Sequence, residues 1–427
     1  MNAFPVAVLS RMFRHYPGNL ELRLWDGTRL RFGELPAAAT VALRDARAFR
    51  DLVMFRDPLR LAHDFFTGRI DVEGSIYEAL SLKDHISRRS FSLRERVSVL
   101  ACALLARDPR GRPAGSVDTP EGHALEAPHS ARANSGRSIG FHYDLSNAFY
   151  GLWLDPRMVY SCAYFESDAQ SLEDAQVRKL DVVCRKLRLA RGETLLDVGC
   201  GWGALVIHAA REYGVRAHGV TLSREQHELA TARIAELGLA DLATVELRDY
   251  RKLEGEARYD KIASIGMFEH VGLKNLPRYF AAAHRQLKPG GLFLNHGITS
   301  REPGWEKTLS TRFINRYVFP DGELDSVANI QRAMEASDFE ILDVESLRPH
   351  YALTLRHWVR RLEARREDAL REVGETVYRV WRLYMAACAL QFEQGETGVY
   401  QILLARAGES TRGRGIENRA ASRQGAR

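Results

Sequence analysis

The chain of 427 residues is long enough for two domains, and its 45% hydrophobic and 27% charged residues are typical of a globular protein. No apolar run approaches the roughly 20 residues that span a bilayer, and the N-terminus lacks a signal-peptide layout, so we expect a cytoplasmic protein. The five cysteines form no Cys-x-x-Cys pair, which argues against a metal site and against a disulfide framework.

The net charge of +6 permits attraction to anionic surfaces but does not choose between nucleic acid and phospholipid. The chain has no nucleic-acid motif, so we expect a peripheral contact with an anionic membrane, at the inner membrane surface, and no nucleic-acid partner. The candidate headgroup contacts are Arg88, Arg89, Arg94, Arg96 and the arginines from Arg356 to Arg366. Arginines that are simply solvated are the alternative.

Residues 1–106 are predicted to form a small α+β domain. Leu20 to Phe32 has the pattern of a hairpin around Asp26-Gly27, and a helical pattern runs from Asp57 to the His85 region. Lipid binding and dimerisation are the roles considered for this domain. Residues 107–138 are rich in Pro, Gly, Ser and Ala and are predicted to be a flexible linker.

From residue 139 to residue 407, strands alternate with helices, which predicts a parallel, doubly wound Rossmann-like sheet. The expected strands are Thr194–Val198, Val215–Val220, Thr244–Leu247, Lys261–Ile265, Leu292–Ile298, Phe339–Leu347 and Val399–Ala405. The expected helices include Ser171–Leu189, Ala204–Tyr213, Ser223–Leu237 with a capping box, and a helical insertion from Tyr351 to Phe392. Residues 408–427 are expected to form a disordered basic tail.

A glycine loop, LLDVGCGWG at residues 195–203, lies between a predicted strand and a predicted helix. Gly199, Gly201 and Gly203 allow a tight turn and a close approach to a ligand, although related loops bind dinucleotides and some tight turns bind nothing. Asp197 suits a cationic amino acid better than a pyrophosphate. Thr221 stands where an NAD enzyme usually carries an acid for the ribose. These two residues favour S-adenosylmethionine and a class I methyltransferase domain.

The missing acid at Thr221 also departs from many methyltransferases. We therefore expect Thr221, Gln226 or the backbone to hold the cofactor hydroxyls. Asp249 and Tyr250 follow the next strand, where an adenine contact is expected.

Further polar residues lie near the expected carboxyl ends of strands, where doubly wound sheets bind ligands. Glu269 follows one strand directly, and a helix cap is its alternative role. His296 ends another strand, although a lone histidine is more often structural. Cys162 can equally be a small buried apolar residue, and Tyr351 can simply pack.

Together, these segments closely resemble the cyclopropane-fatty-acyl-phospholipid synthase family, which includes the mycolic acid cyclopropane synthases. The resemblance covers about Ile139 to Ala405. It is carried by GFHYDLS at 140–146, YSCAY at 160–164, the glycine loop, GVTLS at 219–223, SIGMFEHVG at 264–272, YVFPDG at 317–322 and the pair His350-Tyr351.

The resemblance implies transfer of the methyl group of S-adenosylmethionine to a cis double bond of a phospholipid acyl chain. A carbocation forms, bound bicarbonate removes a proton from the new methyl group, and the ring closes. The implied bicarbonate ligands are Cys162, Glu269, His296, Tyr351 and the backbone of Ile298. The implied cofactor residues are Tyr160, Ser161, Gly199, Gly201, Thr221, Gln226, Asp249 and Tyr250. Family members often dimerise, but nothing in this sequence demonstrates a homodimer.

One residue departs from the family pattern. Members commonly have threonine after the histidine of the fourth segment, whereas this chain has Gly297, which we expect to loosen the loop. The same family contains enzymes that make methylene or methyl-branched chains, so this product stays open. A non-catalytic lipid-binding protein and a heteroatom methyltransferase are two further hypotheses, and neither explains the bicarbonate residues.

Overall fold

The structure is a computed structural model that describes residues 3–34, 36–55, 58–88, 145–305, 311 and 322–406. The chain divides into two compact units, one of residues 1–126 and 373–387 and the other of residues 127–372 and 388–427. The predicted linker at 107–138 and the predicted tail at 408–427 lie outside the described residues, so both stay predictions.

The first unit contains a four-stranded sheet in the order β2-β1-β3-β4. The strands are β1 Leu20–Arg23, β2 Arg29–Phe32, β3 Ala39–Leu43 and β4 Ile70–Gly74. The predicted hairpin is confirmed, because β1 and β2 pair antiparallel with Leu20 opposite Phe32. Its turn is held by Asp26, whose carboxylate accepts a hydrogen bond from the Thr28 amide at 3.0 Å.

The helices of this unit surround the short strands. They are α1 Ala3–Met12, α2 Ala46–Arg50 with a π-helical turn at Asp51–Phe55, α3 Pro58–Phe66, and α4 Ile76–Arg88. The prediction of one helical pattern from Asp57 to His85 is wrong, because β4 separates α3 from α4. Gly68 follows α3 and Gly74 ends β4, both at positive φ (73° and 81°), which favours glycine.

Two buried arginines at residues 373–387 cover the open edge of β4. The Arg382 guanidinium donates to the carbonyls of Val72 at 3.0 Å and Gly74 at 3.1 Å. Arg379 donates to the Ile70 carbonyl at 3.3 Å and to the Asp71 carboxylate at 3.1 Å. The guanidinium groups therefore satisfy the edge carbonyls that a fifth strand would otherwise pair.

The second unit contains a seven-stranded sheet in the order β10-β11-β9-β8-β5-β6-β7. Its strands are β5 Thr194–Val198, β6 Arg216–Thr221, β7 Ala243–Leu247, β8 Tyr259–Ile265, β9 Leu287–Ser300, β10 Phe339–Ser346 and β11 Thr397–Arg406. The five strands from β5 to β9 run parallel, as predicted. The sheet is not wholly parallel, because β11 runs antiparallel to both β9 and β10.

The helices of this unit include the three predicted at Ser171–Leu189, Ala204–Tyr213 and Ser223–Leu237, with bounds close to those predicted. They are α5 Asn147–Gly151, α6 Leu172–Lys186, α7 Ala204–His208 with a π-helical turn at Ala209–Tyr213, α8 Arg224–Glu236, α9 Leu276–Gln286, α10 Val327–Glu335, α11 Arg348–Ala364 and α12 Arg366–Gln394. Ser171 and Ser223 are the N-caps of α6 and α8, and Gly214 ends the π-helical turn with a φ of 64°.

The predicted helical insertion is two helices rather than one. Within α12, Gly374 has non-helical dihedrals (φ 74°, ψ 168°), and residues 373–387 belong to the first unit. None of the helices in the described part of the chain is both long and apolar enough to cross a membrane.

The order of the strands creates a crevice at the carboxyl ends of the central strands. The chain leaves β5 towards β6 and β7, and later returns on the other side of β5 to form β8 and β9. Loops after β5 and β8 therefore diverge at their carboxyl ends, which is where doubly wound sheets bind ligands.

Candidate active site

The glycine loop leaves the carboxyl end of β5 and turns into α7. Gly199, Gly201 and Gly203 have φ values of 78°, 55° and 78°, a backbone region that residues with a Cβ atom rarely adopt. The amides of Gly199 and Cys200 both donate to the Val220 carbonyl at 3.0 Å, which fixes the loop against β6. A Cβ at Gly199 would lie 2.8 Å from Met267, so glycine also permits close packing there.

A cavity beside this loop brings together every predicted cofactor residue except Gly203. The predicted residues that line it are Tyr160, Ser161, Asp197, Gly199, Gly201, Thr221, Gln226, Asp249 and Tyr250. Gly203 is instead the N-cap of α7, and a Cβ there would lie 3.1 Å from Ala230. Gly203 therefore shapes the turn rather than the cavity wall.

Thr221 and Gln226 form one hydrogen-bonded pair in this cavity. The Thr221 hydroxyl donates to the Gln226 side-chain oxygen at 2.7 Å and accepts from the Ser223 amide at 3.2 Å. Ser223 caps α8 by accepting from the Gln226 amide at 3.3 Å. The predicted capping box is therefore only half formed, because the Gln226 side chain turns to Thr221 instead of to the Ser223 amide.

Asp249 and Tyr250 follow β7 at the far wall of the cavity. Burial opposes ionisation of Asp249, but hydrogen bonds from the side chain and amide of Arg251 hold its pKa below the usual value. Asp249 is therefore ionised and held by Arg251. The Tyr250 ring packs edge-on against Tyr279, with 5.6 Å between the ring centroids.

Asp197 is buried, with 3% of its surface exposed, and burial raises its pKa to about 7, although the charge of Lys179 opposes this shift. Lys179 is buried as well and donates to the Ser161 hydroxyl at 3.0 Å. Burial lowers the Lys179 pKa to about 8, while Asp155 and Asp197 oppose the shift. Lys179 therefore links two of the predicted cofactor residues.

Lys179 and the nearby Gln176 were not among the predicted site residues. The Gln176 side chain donates to the Ser161 carbonyl at 2.9 Å. Both residues continue the helical stripe of Leu172 and Val183 on the buried face of α6. The signal that could have found them is the presence of polar residues on a mostly apolar face.

Glu269 lies in a 3₁₀ turn, Phe268–His270, directly after β8. Its carboxylate accepts a hydrogen bond from the Ile298 amide at 2.6 Å. The other carboxylate oxygen, Oε2, is buried and has no hydrogen-bond partner among the described residues. Burial raises the Glu269 pKa to about 7. The helix-cap alternative is wrong, because the carboxylate bonds to a strand and not to a helix.

His296 lies on β9 with 2% of its surface exposed. Its Nδ1 is 3.3 Å from the side-chain amide of Gln401, a contact in which the role of the ring nitrogen depends on the tautomer. Its Nε2 is buried and has no partner in the described part of the chain. Burial holds the His296 pKa well below its usual value, so the ring is neutral.

Cys162 and Tyr351 both contact Leu347. The Cys162 thiol lies 3.8 Å from the Leu347 carbonyl, which also accepts the Tyr351 amide at 3.0 Å. Burial raises the Cys162 pKa, so the group stays a thiol. The Tyr351 ring packs against Phe392 with 4.8 Å between centroids.

Backbone contacts connect the segments that carry the predicted catalytic residues. Ile298 is opposite Val399 on β11, and the Val399 carbonyl accepts the Leu347 amide at 2.8 Å. The Leu347 carbonyl is in turn the shared contact of Cys162 and Tyr351, and His296 lies two residues before Ile298 on β9. Their catalytic roles stay predictions.

Aromatic faces can stabilise a carbocation, and the candidates in the sequence are Tyr143, Phe165, Phe268, Tyr317 and Tyr351. Of these, Tyr143 and Tyr317 lie outside the described residues. Phe165 stacks on His357 with 5.4 Å between ring centroids, and Phe268 is buried beside β9.

Comparison with known proteins identifies the family. The sequence model of the mycolic acid cyclopropane synthetase family matches residues 130–402. The chain belongs to this family. The predicted resemblance is therefore confirmed.

Named relatives agree with this assignment. A protein of Pseudomonas putida named probable fatty acid methyltransferase is 40% identical over 391 residues, which cover 91% of this chain and 92% of that protein. The cyclopropane-fatty-acyl-phospholipid synthase of Escherichia coli strain K12 is 40% identical over 277 residues, which cover 65% of this chain and 68% of that protein.

Solved structures show the same fold. The cyclopropane synthase MmaA2 of Mycobacterium tuberculosis is 34% identical with a TM-score of 0.61, over 65% of this chain and 100% of that one. A mycolic acid cyclopropane synthase complexed with SAH and CTAB is 36% identical with the same TM-score of 0.61 and the same coverage. The fold is that of a class I methyltransferase, as predicted. The chain is an S-adenosylmethionine-dependent methyltransferase, either a cyclopropane fatty acid synthase or a fatty acid methyltransferase of this family.

Proposed function

We propose that this enzyme is a cyclopropane fatty acid synthase that acts on unsaturated phospholipid acyl chains. The proposed reaction adds a methylene group across a cis double bond, through a carbocation that loses a proton to bound bicarbonate. The observation that carries the proposal is that two buried polar atoms, Glu269 Oε2 and His296 Nε2, each have no hydrogen-bond partner among the described residues. Unpaired buried polar atoms are costly, so their retention indicates a polar guest.

These atoms suit a small oxyanion. In the tautomer in which Gln401 donates to Nδ1 of His296, the Nε2–H of that ring can donate to a guest. Glu269 can donate as well when it is protonated, which its pKa of about 7 allows near neutral pH. The Ile298 amide already donates to the Glu269 carboxylate. We therefore expect it to act on the anion indirectly, by holding that carboxyl group in place. Bound bicarbonate would supply the base for the new methyl group.

The cofactor cavity suits S-adenosylmethionine, which supplies an electrophilic methyl group when bound. We propose that Asp197 faces the cationic amino-acid end, because that acid is buried beside the glycine loop with Lys179 as the charged neighbour that lowers its pKa. Thr221 and Gln226 would take the cofactor hydroxyls, and Asp249 and Tyr250 the adenine. The protein holds the methyl group against a weakly nucleophilic alkene and excludes water, which would trap the cation as an alcohol.

The reaction should be visible in the fatty acids of a host that lacks it. Expression of the enzyme should convert unsaturated phospholipid acyl chains into products heavier by one methylene group, measured by gas chromatography and mass spectrometry. The Glu269→Gln variant is the matched control. An unchanged profile with folded, cofactor-competent enzyme would refute the assignment to phospholipids.

A second candidate is a fatty acid methyltransferase that makes methylene or methyl-branched chains. It is favoured by the name of the Pseudomonas putida relative, which matches over 91% of this chain. Mild hydrogenation separates the products, because a methylene product takes up hydrogen readily and a cyclopropane does not.

A further inference from the structure

Gly297 lies inside β9 and not in a loop, so its effect is not the loosening that the sequence suggested. It is paired with Tyr400 of β11 in regular antiparallel register. A Cβ built on Gly297 would lie 2.5 Å from Cδ1 of Phe268, 2.9 Å from Cζ, and closer still to Cε1. The missing side chain therefore forms a notch in the strand that the Phe268 ring fills.

The notch anchors the turn that carries Glu269. Phe268 is the first residue of the 3₁₀ turn Phe268–His270 and is buried, with 3% of its surface exposed. The next residue, Glu269, reaches back to the amide of Ile298, the residue after Gly297. Two adjacent residues of the turn thus contact two adjacent residues of β9, one by packing and one by a hydrogen bond.

Backbone contacts hold the turn at other points. Gly266 and Gly272 flank it, with φ values of 65° and 78°. The Gly266 amide donates to the His296 carbonyl at 2.8 Å, and the Glu269 carbonyl accepts from the Glu323 amide at 3.1 Å. The first bond fixes the start of the turn to β9, and the second fixes its backbone to a different segment. The Phe268 ring adds a side-chain packing contact with Gly297 to these backbone bonds.

We propose that Gly297 is a positioning residue for the reaction, because its notch seats Phe268 and thereby sets the place of the Glu269 carboxyl group. This inference rests on the proposed function. A relative with threonine at this position cannot hold a phenyl ring in the same place. The Gly297–Phe268 pair is therefore the feature of this chain that distinguishes its base site from that pattern.

The test substitutes Gly297→Ala and Gly297→Thr in the full chain. Both variants should bind S-adenosylmethionine like wild type in calorimetry, because Gly297 does not line the cofactor cavity. Their kcat should fall by about 100-fold, the size of effect that a displacement of about 1 Å produces, with little change in KM. Phe268→Leu added to Gly297→Ala should restore part of kcat, since the shorter side chain lacks the Cε1 and Cζ atoms that meet the new methyl group.

Gly398→Ala is the matched control. It also adds a methyl group to the sheet, on β11, where it would meet Tyr400 and Thr299 at 2.9 and 3.0 Å and not Phe268. Its kcat should stay near wild type. Wild-type kcat in Gly297→Thr, or no recovery in the double variant, would overturn the proposal.

A readout independent of turnover separates this proposal from the proposed function. The amide signal of Ile298, in enzyme labelled with ¹⁵N-isoleucine and assigned by its loss in Ile298→Val, reports the hydrogen bond to Glu269. It should move upfield in Gly297→Ala and return in the double variant. If wild type acts on no acyl chain, the proposed function fails while this signal still tests the notch. An unmoved signal refutes the notch whatever the activity.

Discussion

Glu269 shows how much of the chemistry is set by burial of a single side chain. The residue is 5% exposed, and among the described residues its two carboxylate oxygens have one hydrogen-bond donor, the Ile298 amide. Burial disfavours the charged form and raises the pKa to about 7. The group therefore gains and loses its proton near neutral pH. In its protonated form it can donate a hydrogen bond to a bound anion.

This burial has a cost that depends on pH. The folded-state pKa lies above the usual value, so the stabilising effect of protonation is complete below about pH 4.5 and is lost as the pH rises through about 7. Glutamine stays neutral at every pH and can still accept from Ile298. Glu269→Gln should therefore gain stability relative to wild type between pH 5 and pH 8, by up to about 3 kcal/mol, in urea unfolding. Turnover should be lost while cofactor binding is kept.

Glu340, an exposed carboxylate on β10, provides the control. Its side chain is exposed to solvent, so Glu340→Gln should change the free energy of unfolding little. A Glu269→Gln effect that is the same at pH 5 and pH 8 would show that folding does not raise the pKa of this carboxyl group. Wild-type turnover in Glu269→Gln would remove this residue from the mechanism.

At the scale of elements, local patterns identified the sheet of the second unit but not all of its bounds. Apolar runs between turn residues predicted β5 as Thr194–Val198, and the structure has the same bounds. They missed the start of β9 at Leu287, because Lys288-Pro-Gly-Gly291 has the composition of a turn. There the strand continues beside β8 with an irregularity between Leu287 and Leu292, where Gly290 has a φ of 76°.

What the patterns could not supply is contact between distant residues. The carboxyl ends of β8 and β9 can be expected to meet, but the bond between Glu269 and Ile298 depends on the notch at Gly297. Lys179 was missed because the apolar residues alone define the buried face of α6 in the sequence. The types of the candidate site residues and the strand ends at which they lie were therefore predictable. Which of these residues contact one another was not.

Arg379 and Arg382 were beyond prediction for the same reason. They cover β4 from about 310 positions further along the chain, since Arg382 and Val72 are 310 residues apart. Trp381 and Tyr384 lie in this same segment of the first unit, whereas Trp358, which is also part of the predicted helical insertion, belongs to the second.

Arg382→Met should destabilise the first unit. The substitution keeps the apolar stem but leaves the carbonyls of Val72 and Gly74 without these donors, at about 1–3 kcal/mol for each unpaired group. Hydrogen–deuterium exchange in the β3–β4 region should accelerate, and the unfolding midpoint should fall. Arg371→Met, an exposed ion-pair partner of Asp368 on the same helix, should change stability by less than about 1 kcal/mol. Equal exchange in both variants would contradict this role.

At the scale of the whole molecule, the net charge of +6 does not mean that every arginine is available to an anionic membrane. Several arginines between Arg356 and Arg366 already have carboxylate partners. Arg356 pairs with Glu393 at 2.9 Å, Arg361 with Glu173 at 2.6 Å, and Arg365 with Asp368 at 2.8 Å. These pairs reduce the positive field that this cluster can present to a membrane. Arg88, Arg89, Arg94 and Arg96 are then the stronger candidates by sequence, and their side chains lie outside the described residues.

Proposed peripheral membrane binding should therefore depend on salt and on one of the two clusters. The enzyme should sediment with vesicles that contain anionic phospholipid, and binding should fall as salt rises from about 0.1 M to about 1 M, because the Debye length shrinks from about 10 Å to about 3 Å. Each arginine near the surface contributes about 1 kcal/mol, so replacing Arg88, Arg89, Arg94 and Arg96 by glutamine should remove most of the binding. Replacing Arg356 and Arg365 by glutamine should remove little, since both already pair with acids. Equal binding to neutral vesicles, or binding insensitive to salt, would show that charge does not bring this enzyme to its acyl substrate.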